Sequence, residues 1–143
     1  PQDRISGTFR TINRDAWTHV PIIEWKDAIA WLFRNDDYDL HSHQQWTVSD
    51  CAISKQSFAL PSTPSMEPMF RRNSILIIDP DADIVDGKYV ILTLDGSNTV
   101  IRKAHIDGGC IYLKNFDQHL PTIKLETNIH RVLGVVIEAK VNF

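Results

Sequence analysis

The feature that most constrains the fold is a series of short apolar runs, each closed by a turn signal, in the sequence after Trp46. The runs are FAL before Pro61, SILIID before Pro80, YVILTL before Asp95-Gly96, TVIRKAHI before Asp107-Gly108-Gly109, CIYLK, and HRVLGVVIEAKV. Their β-branched residues and Asp-Gly turns predict strands of a mostly antiparallel sheet system. Gly134, inside the last run, predicts a bulge or bend where the sheet curls.

The first part of the chain has a different pattern. Residues 1–20 are polar and mixed, without a sustained period, and are typical of an arm or linker. In the next segment Trp25, Ala28, Ile29 and Leu32 recur at helical spacing, with Pro21 in front of them, which predicts one short helix. The expected organisation is therefore an arm, residues 1–20, and one mostly β domain, residues 21–143.

Composition excludes several classes of protein. The 143 residues carry a formal net charge of -3, which gives no electrostatic footprint for a phosphate backbone, so we expect DNA contact only through an attached domain. Cys51 and Cys110 are far apart in sequence and fit neither a disulfide framework nor a metal-ligand spacing, which favours the cytoplasm. No apolar run approaches the roughly 18 to 20 residues of a membrane span, so no membrane association is expected.

Two motifs resemble metal sites, and we assign a metal to neither. His41 and His43 have the spacing for one side of a strand, but the sequence offers no convincing third ligand, which favours a solvated loop. The stretch DPDADIVDG resembles a calcium loop but has Ile84 where glycine is needed and Val90 where a bidentate glutamate is needed, so it is typical of a turn. No cofactor is expected either.

A serine in the stretch STPSMEPMFRRNSILIIDP raises the question of catalysis. Ser65 lies in a Pro-Ser-Met-Glu-Pro turn just ahead of an apolar run. A serine hydroxyl keeps its proton at neutral pH, so it becomes a nucleophile only with a base within hydrogen-bond reach. Without such a base, a serine in a proline-rich turn serves to cap the turn.

The stretch PSMEPMFRRNSILIIDPDADIVDGKYVILTLDGSNTVIRKAHIDGG, with CIYLKN and VLGVVIEAK after it, resembles the C-terminal domain of LexA-like repressors. These are the SOS and phage repressors that share a serine-lysine peptidase fold. The resemblance covers roughly residues 21–143 and is strongest over residues 58–114. It implies curled antiparallel sheets, Ser65 as the nucleophile that attacks a bond in the same chain, and a lysine on the later hairpin strand as the general base.

The resemblance has departures at the positions that carry the chemistry. Laid on VIRKA without a gap, the family pattern of roughly Thr-Val-Lys-Arg-Leu puts Arg102 at the lysine position, and an arginine keeps its proton. Lys103 is adjacent and could act only if a bulge or a one-residue slip turned it inward. In WKDAIAW, which matches the family's cleaved segment, Ala28 is retained but Ile29 replaces glycine and crowds the backbone. Pro64, ahead of Ser65, removes an N–H near the expected oxyanion region.

The resemblance therefore implies a dimerisation and regulatory domain of a LexA-like or phage repressor-type transcriptional regulator whose self-cleavage is lost. It would act as a homodimer and reach DNA through a helix-turn-helix domain. Two alternatives stay open. One is an active serine-lysine autopeptidase, with Ser65 as nucleophile and Lys103 as base. The other is an interaction module whose cleft binds a peptide or protein partner.

Overall fold

The computed structural model describes residues 18–32, 45–49, 53–54 and 56–141. In chain order its strands and its α-helix are β1 (Thr18–Pro21), α1 (Ala28–Leu32), β2 (Trp46–Ser49), β3 (Phe58–Pro61), β4 (Ser74–Asp79), β5 (Tyr89–Thr93), β6 (Thr99–Asp107), β7 (Cys110–Lys114), β8 (Ile123–Lys124) and β9 (Arg131–Val141). Two 3-10 turns, Trp25–Asp27 and Pro64–Met66, complete the described elements. The predicted mostly β class with one short helix is confirmed for this part of the chain.

Seven of the strands form one antiparallel sheet, in the order β3-β4-β9-β5-β6-β7-β8. The long strand β9 lies between β4 and β5, and its register shifts between Val132 and Gly134 and again between Val136 and Glu138. A Cβ at Gly134 would collide with the side chain of Ile78 on β4, so only glycine fits this close approach. The predicted irregularity at Gly134 is confirmed.

The two faces of the sheet carry different apolar clusters. Alternate residues of a strand point to opposite faces. On β5, Ile91 belongs to the larger cluster, which also holds the helix residues Ala28 and Trp31. Its neighbours Val90 and Leu92 belong to the second cluster, which covers the opposite face. All five side chains are 0 to 2% exposed, so both faces of this part of the sheet are buried.

A second, two-stranded sheet forms from β1 and β2, and the sequence pattern did not predict it. Ser49 Oγ donates to Glu138 Oε1 at 3.0 Å, and Lys140 Nζ donates to the carbonyl of Val48, so β2 is tied to β9. Residues 18–20 of the expected arm are the first residues of β1. The rest of that arm lies outside the described residues, as do His41, His43 and Cys51.

Candidate functional site

Ser65 lies in the 3-10 turn Pro64–Met66, between β3 and β4. Pro64 begins the turn, where its fixed φ suits a helical conformation and its missing N–H costs nothing. Met66 is 3% exposed and inserts into the larger apolar cluster, which anchors the turn. At the base of the loop, Ser62 Oγ accepts the N–H of Ser74 at 3.1 Å. The turn is therefore held by its neighbours, while Ser65 itself is exposed.

The Ser65 hydroxyl has a single hydrogen-bond partner in the described part of the chain, the Thr63 hydroxyl, with 2.8 Å between the two oxygens. A neutral hydroxyl does not accept the serine proton at ordinary pH, so this contact does not activate Ser65. The N–H of Met66, next in the chain, donates to the carbonyl of Thr63 at 3.0 Å. That donor is already used within the turn and is not free to stabilise an oxyanion.

The turn forms one wall of a cleft with a volume of about 510 Å³. The opposite wall is the first part of β6, residues 99–102. The remaining lining residues are Trp25 and the loop residues 115–117 and Leu120. The cleft therefore lies between Ser65, the predicted nucleophile, and β6, the strand on which the sequence analysis expects the general base.

The strand register decides which β6 side chain faces Ser65. Ile101 is paired with Ile91 of β5, is 5% exposed, and belongs with Met66 to the larger cluster. Arg102 is paired with Val90, whose cluster covers the opposite face. The β6 side chains on the face of the larger cluster that line the cleft are thus those of Thr99 and Ile101, a neutral hydroxyl and a hydrocarbon, and neither is a base at ordinary pH.

Arg102 nevertheless reaches the cleft, because its long side chain bends back along its own strand. Its Nη1 donates to the carbonyl of Ile101 at 2.8 Å. The residue is half-buried, and burial lowers the pKa of the guanidinium from its ordinary value. No carboxylate of the described residues lies within ion-pair distance of Arg102. An arginine still holds its proton in such a place, since its pKa starts above about 12.

Lys103 does not line the cleft. It shares the sheet face of Ile101 but lies two residues further along, opposite Tyr89. Its Nζ lies 6.0 Å from the centroid of the Tyr89 ring, at the limit of a cation-π contact, and the residue is exposed. In this structure Lys103 therefore lies beside an aromatic ring and outside the lining of the cleft.

The predicted vestigial cleavage site forms part of the folded core. Ala28 is fully buried and begins α1, and Ile29 is half-buried against the larger cluster. Neither residue lines the cleft, although Trp25, in the preceding 3-10 turn, does. The Trp25 Nε1 donates to the carbonyl of Pro61 at 2.7 Å, which fixes the ring beside the Ser65 turn. The Ala28–Ile29 bond therefore lies in a helix, outside the lining of the cleft that holds Ser65.

The described ranges contain no group of three histidine, cysteine or acidic side chains arranged to hold a metal ion. Among the same residues, no helix is both long and apolar enough to cross a membrane.

One family model and several named relatives match this chain. The family model described as Peptidase S24-like matches residues 21–137. An uncharacterized HTH-type transcriptional regulator of Coxiella burnetii is 28% identical over 98% of this chain and 64% of its own length. Repressor protein C2 of Salmonella phage P22 is 27% identical over 84% of this chain and 58% of its own length. An HTH-type regulator of the conjugative element R391, from Providencia rettgeri, is 24% identical over 92% and 64%. The chain thus spans less than two thirds of these relatives.

Sequence reasoning missed Ile101 as the residue that faces Ser65. A signal for it was present: counted from Thr99 and Val100, a Thr-Val-Lys pattern puts the lysine position at residue 101 and not at 102. Both ways of aligning the pattern leave the cleft without a lysine, but they differ in what replaces it.

Proposed function

Because the chain belongs to the Peptidase S24-like family, we propose that it is the dimerisation and regulatory domain of a LexA-like, phage repressor-type transcriptional regulator, and that it no longer cleaves itself. The names of the relatives support the first part, since they are HTH-type regulators and a phage repressor. DNA contact would then belong to a helix-turn-helix domain, and not to this acidic chain.

Self-association is the work that such a domain performs for its regulator. Two linked DNA-reading domains engage two half-sites, and the link raises the effective concentration of the second one. Sedimentation equilibrium of the protein tests this step. We expect a concentration-dependent dimer, and a monomer at all concentrations up to about 100 µM would contradict it, since that range corresponds to only about -5.5 kcal/mol of association free energy.

The observation that carries the loss of cleavage is the side chain of Ile101 on the cleft wall opposite Ser65. A general base must lie within hydrogen-bond reach of the serine hydroxyl, and an isoleucine leaves that place chemically inert. Two further observations support the same conclusion. The Ser65 hydroxyl is paired with Thr63, and the candidate bond after Ala28 lies in a helix.

The test is incubation of the protein between pH 7 and pH 10, followed by intact-mass measurement. A lysine base acts in its neutral form, so raising the pH favours cleavage if any lysine serves Ser65. We expect one unchanged mass throughout. Fragments that begin at Ile29, and that disappear in a Ser65→Ala variant, would contradict the proposal.

One observation favours the alternative of an active autopeptidase. Lys103 is on the same sheet face as Ile101, so a two-residue slip of β6, and not a change of face, would bring its Nζ to the position of Ile101. The same incubation separates the two functions when a Lys103→Ala variant is included. Cleavage that depends on both Ser65 and Lys103 would establish the autopeptidase.

A further inference from the structure

One face of the sheet carries three lysines where β6, β7 and β8 lie side by side. Lys103 of β6 is the Cα partner of Lys114 of β7. Lys124 of β8 is the Cα partner of Tyr112, which precedes Lys114 by two positions on β7. Paired residues and alternate residues of a strand share a face, so the three lysines lie on one side of the sheet, which we call the lysine face. All three are exposed, whereas Leu113, on the opposite face, is fully buried.

The direct pairing of two lysines is unfavourable for the free protein. Residues directly opposite each other in an antiparallel pair have Cβ atoms about 4.5 to 5.5 Å apart, and like charges at such positions destabilise the sheet. None of the three lysines makes an ion pair with a described carboxylate. Lys103 instead has its Nζ 6.0 Å from the centroid of the Tyr89 ring. The repulsion between Lys103 and Lys114 would therefore be relieved by a carboxylate from outside the described residues.

Carboxylates border the lysine face without neutralising it. Asp86 Oδ1 lies 3.2 Å from His105 Nδ1 and also accepts the N–H of Ile106 at 2.7 Å, so it is engaged at the edge of the face. Asp107 ends β6, beyond His105, and makes no ion pair with a described residue. The positive charge is thus a local feature of a chain whose formal net charge is -3.

The spacing of the lysines matches that of carboxylates along an extended polypeptide. Lys114 and Lys124 are diagonal neighbours on adjacent strands, which places them about 7 to 8 Å apart. An extended chain rises about 3.3 Å per residue, so acidic side chains two residues apart project to the same side with about 6.6 Å between them. One carboxylate can therefore meet Lys103 and Lys114 together while the next meets Lys124.

A phosphate backbone fits this surface less well than a short acidic segment does. Affinity for nucleic acid comes from the release of counterions, and three lysines give a slope of only about -2 to -3 in the logarithm of the binding constant against that of the salt concentration. The negative net charge of the chain also opposes the approach of a polyanion. Two or three carboxylates match the three ammonium groups and bring little further negative charge toward Asp86 and Asp107.

We propose that the lysine face is a docking surface for an acidic segment of a partner protein, in which carboxylates two residues apart in an extended chain contact the Lys103–Lys114 pair and Lys124. The surface lies outside the lining of the Ser65 cleft, and the inference does not depend on the loss of cleavage. Exposed ion pairs are weak individually, so the affinity comes from several charges acting together and falls as the salt concentration rises.

The probe is the peptide acetyl-Ser-Glu-Thr-Glu-Thr-Glu-Ser-amide, added at low salt to the isotopically labelled protein while backbone amide shifts are followed by NMR. In one matched peptide glutamine replaces every glutamate. The other, acetyl-Ser-Glu-Glu-Thr-Thr-Glu-Ser-amide, has the same composition and charge but no two glutamates that are two residues apart. We expect saturable shifts on β6, β7 and β8 with the probe, none with the glutamine peptide, and binding about threefold or more weaker with the rearranged peptide.

The matched protein variants are Lys114→Glu and Lys88→Glu. Both reverse one exposed charge, but Lys88 is next to Tyr89 in the chain and so is directed away from the face on which Tyr89 and Lys103 are paired. Lys103 is left unchanged, because the alternative function assigns it as a base. We expect Lys114→Glu to weaken binding of the probe by about threefold to tenfold, and Lys88→Glu to change it by less than about twofold.

The stability of the free variants gives a second readout. Lys114→Glu replaces a like-charge pair with an opposite-charge pair across from Lys103, so the urea midpoint should rise while binding of the probe weakens. A variant that bound less because it was misfolded would show a lower midpoint instead. Lys88→Glu should not raise the midpoint.

The outcomes separate this inference from its alternatives. Absence of shifts up to about 5 mM probe, equal shifts with the glutamine peptide, or equal binding by Lys114→Glu and Lys88→Glu would overturn the docking surface. Tighter binding of a single-stranded DNA oligonucleotide to the same amides would assign the face to nucleic acid and would overturn a protein partner. Shifts of these amides with the concentration of the protein alone, lost in Lys114→Glu, would assign it to a second copy and overturn the proposal as well. The loss of cleavage is measured at Ser65 and is untouched by each of these results.

Discussion

The two walls of the cleft differ in whether they carry the catalytic residue that the family resemblance leads us to expect there. The turn wall retains the serine of the family, exposed at the tip of the Pro64–Met66 turn. The strand wall, residues 99–102, presents Ile101 where a base would be needed. The turn owes its position to buried Met66 and to the Ser62–Ser74 contact, so its conformation does not depend on the serine. Under the proposed loss of cleavage, one member of a catalytic pair is gone while the fold around the other persists.

The physical reason for the difference is the environment of each position. An exposed serine changes the free energy of unfolding very little, so the stability of the fold does not depend on whether the serine is retained. The position of Ile101 is buried, and a lysine there must be held neutral at a cost in stability, whereas an isoleucine gains about 1.5 to 3 kcal/mol from burial. Under the proposed loss of cleavage, a hydrocarbon in place of the base would exchange activity for stability, which is a common trade at active sites.

The largest expected effect comes from restoring a base on the strand wall. In an Ile101→Lys variant, Ser65 should react with a fluorophosphonate about 10² to 10⁴ times faster than in the parent protein, which is the usual range for general-base assistance. The rate should rise with pH as the lysine becomes neutral. Intact-mass measurement of the adduct gives the rate. Ile101→Met is the matched control without a base, and Ile101→Lys with Ser65→Ala must remain unlabelled. Equal rates of adduct formation in the Ile101→Lys and Ile101→Met variants would contradict the stated difference between the two walls.

The next largest effect tests what holds the turn wall. Met66 is 3% exposed within the larger cluster, so Met66→Ala should lower the free energy of unfolding by about 2 to 5 kcal/mol through the cavity it leaves. Met69, in the same loop, is 56% exposed, and Met69→Ala should change the free energy of unfolding by no more than about 0.5 kcal/mol. Urea unfolding measures both. Similar values for the two variants would show that the turn is not anchored by its buried side.

A smaller, pH-dependent effect is expected in the hairpin that leads into the strand wall. The Asp95 carboxylate accepts the N–H groups of Ser97 and Asn98 at 2.9 and 3.1 Å, and these bonds lower its pKa to about 2. The unfolded value is about 3.9. Since the folded pKa is the lower one, the stabilisation is present above about pH 4 and is lost as the pH falls toward 2.

The carboxyl carbon of Asp95 should titrate in an NMR experiment with a midpoint near 2. An Asp95→Asn variant should lack the corresponding fall in stability between pH 4 and pH 2. A midpoint close to 4 in the folded protein would mean that the Asp95 carboxylate does not stabilise the hairpin.

The smallest effect is expected at the serine itself. Ser65→Ala removes only an exposed hydroxyl and its bond to Thr63, so the free energy of unfolding should change by no more than about 0.5 kcal/mol. Urea unfolding at neutral pH is again the measurement. A loss above about 1 kcal/mol would mean that the turn wall depends on Ser65 for its structure, and the two walls would no longer differ in the way described.

Much of the fold could be predicted from the sequence. The apolar runs and Asp-Gly turns predicted six of the seven strands from Phe58 onward, all except the two-residue strand β8, and Gly134 marked an irregularity that the structure confirms. The resemblance to LexA-like repressors is confirmed by the family match. The pairing of β1 with β2 was missed because it joins segments separated by 24 residues of intervening chain, for which local patterns carry no signal.

The alternation of polar and apolar residues along β6 does not show which of its faces is turned inward. In TVIRKAHI, each face carries both polar and apolar side chains, so alternation does not identify the buried one. The answer comes from the partner strand, where Ile91 opposite Ile101 belongs to the larger cluster and Val90 opposite Arg102 to the second. The roles of Ser65, Arg102, Lys103, Ala28 and Ile29 stay predictions.

The central claim is that Ser65 has no base, and the most direct measurement is the rate at which the unmodified protein forms a fluorophosphonate adduct from pH 7 to pH 10. We predict no adduct at Ser65 above the level of a Ser65→Ala control at any pH. An adduct that forms on Ser65, accelerates as the pH rises, and is lost in Lys103→Ala would contradict it.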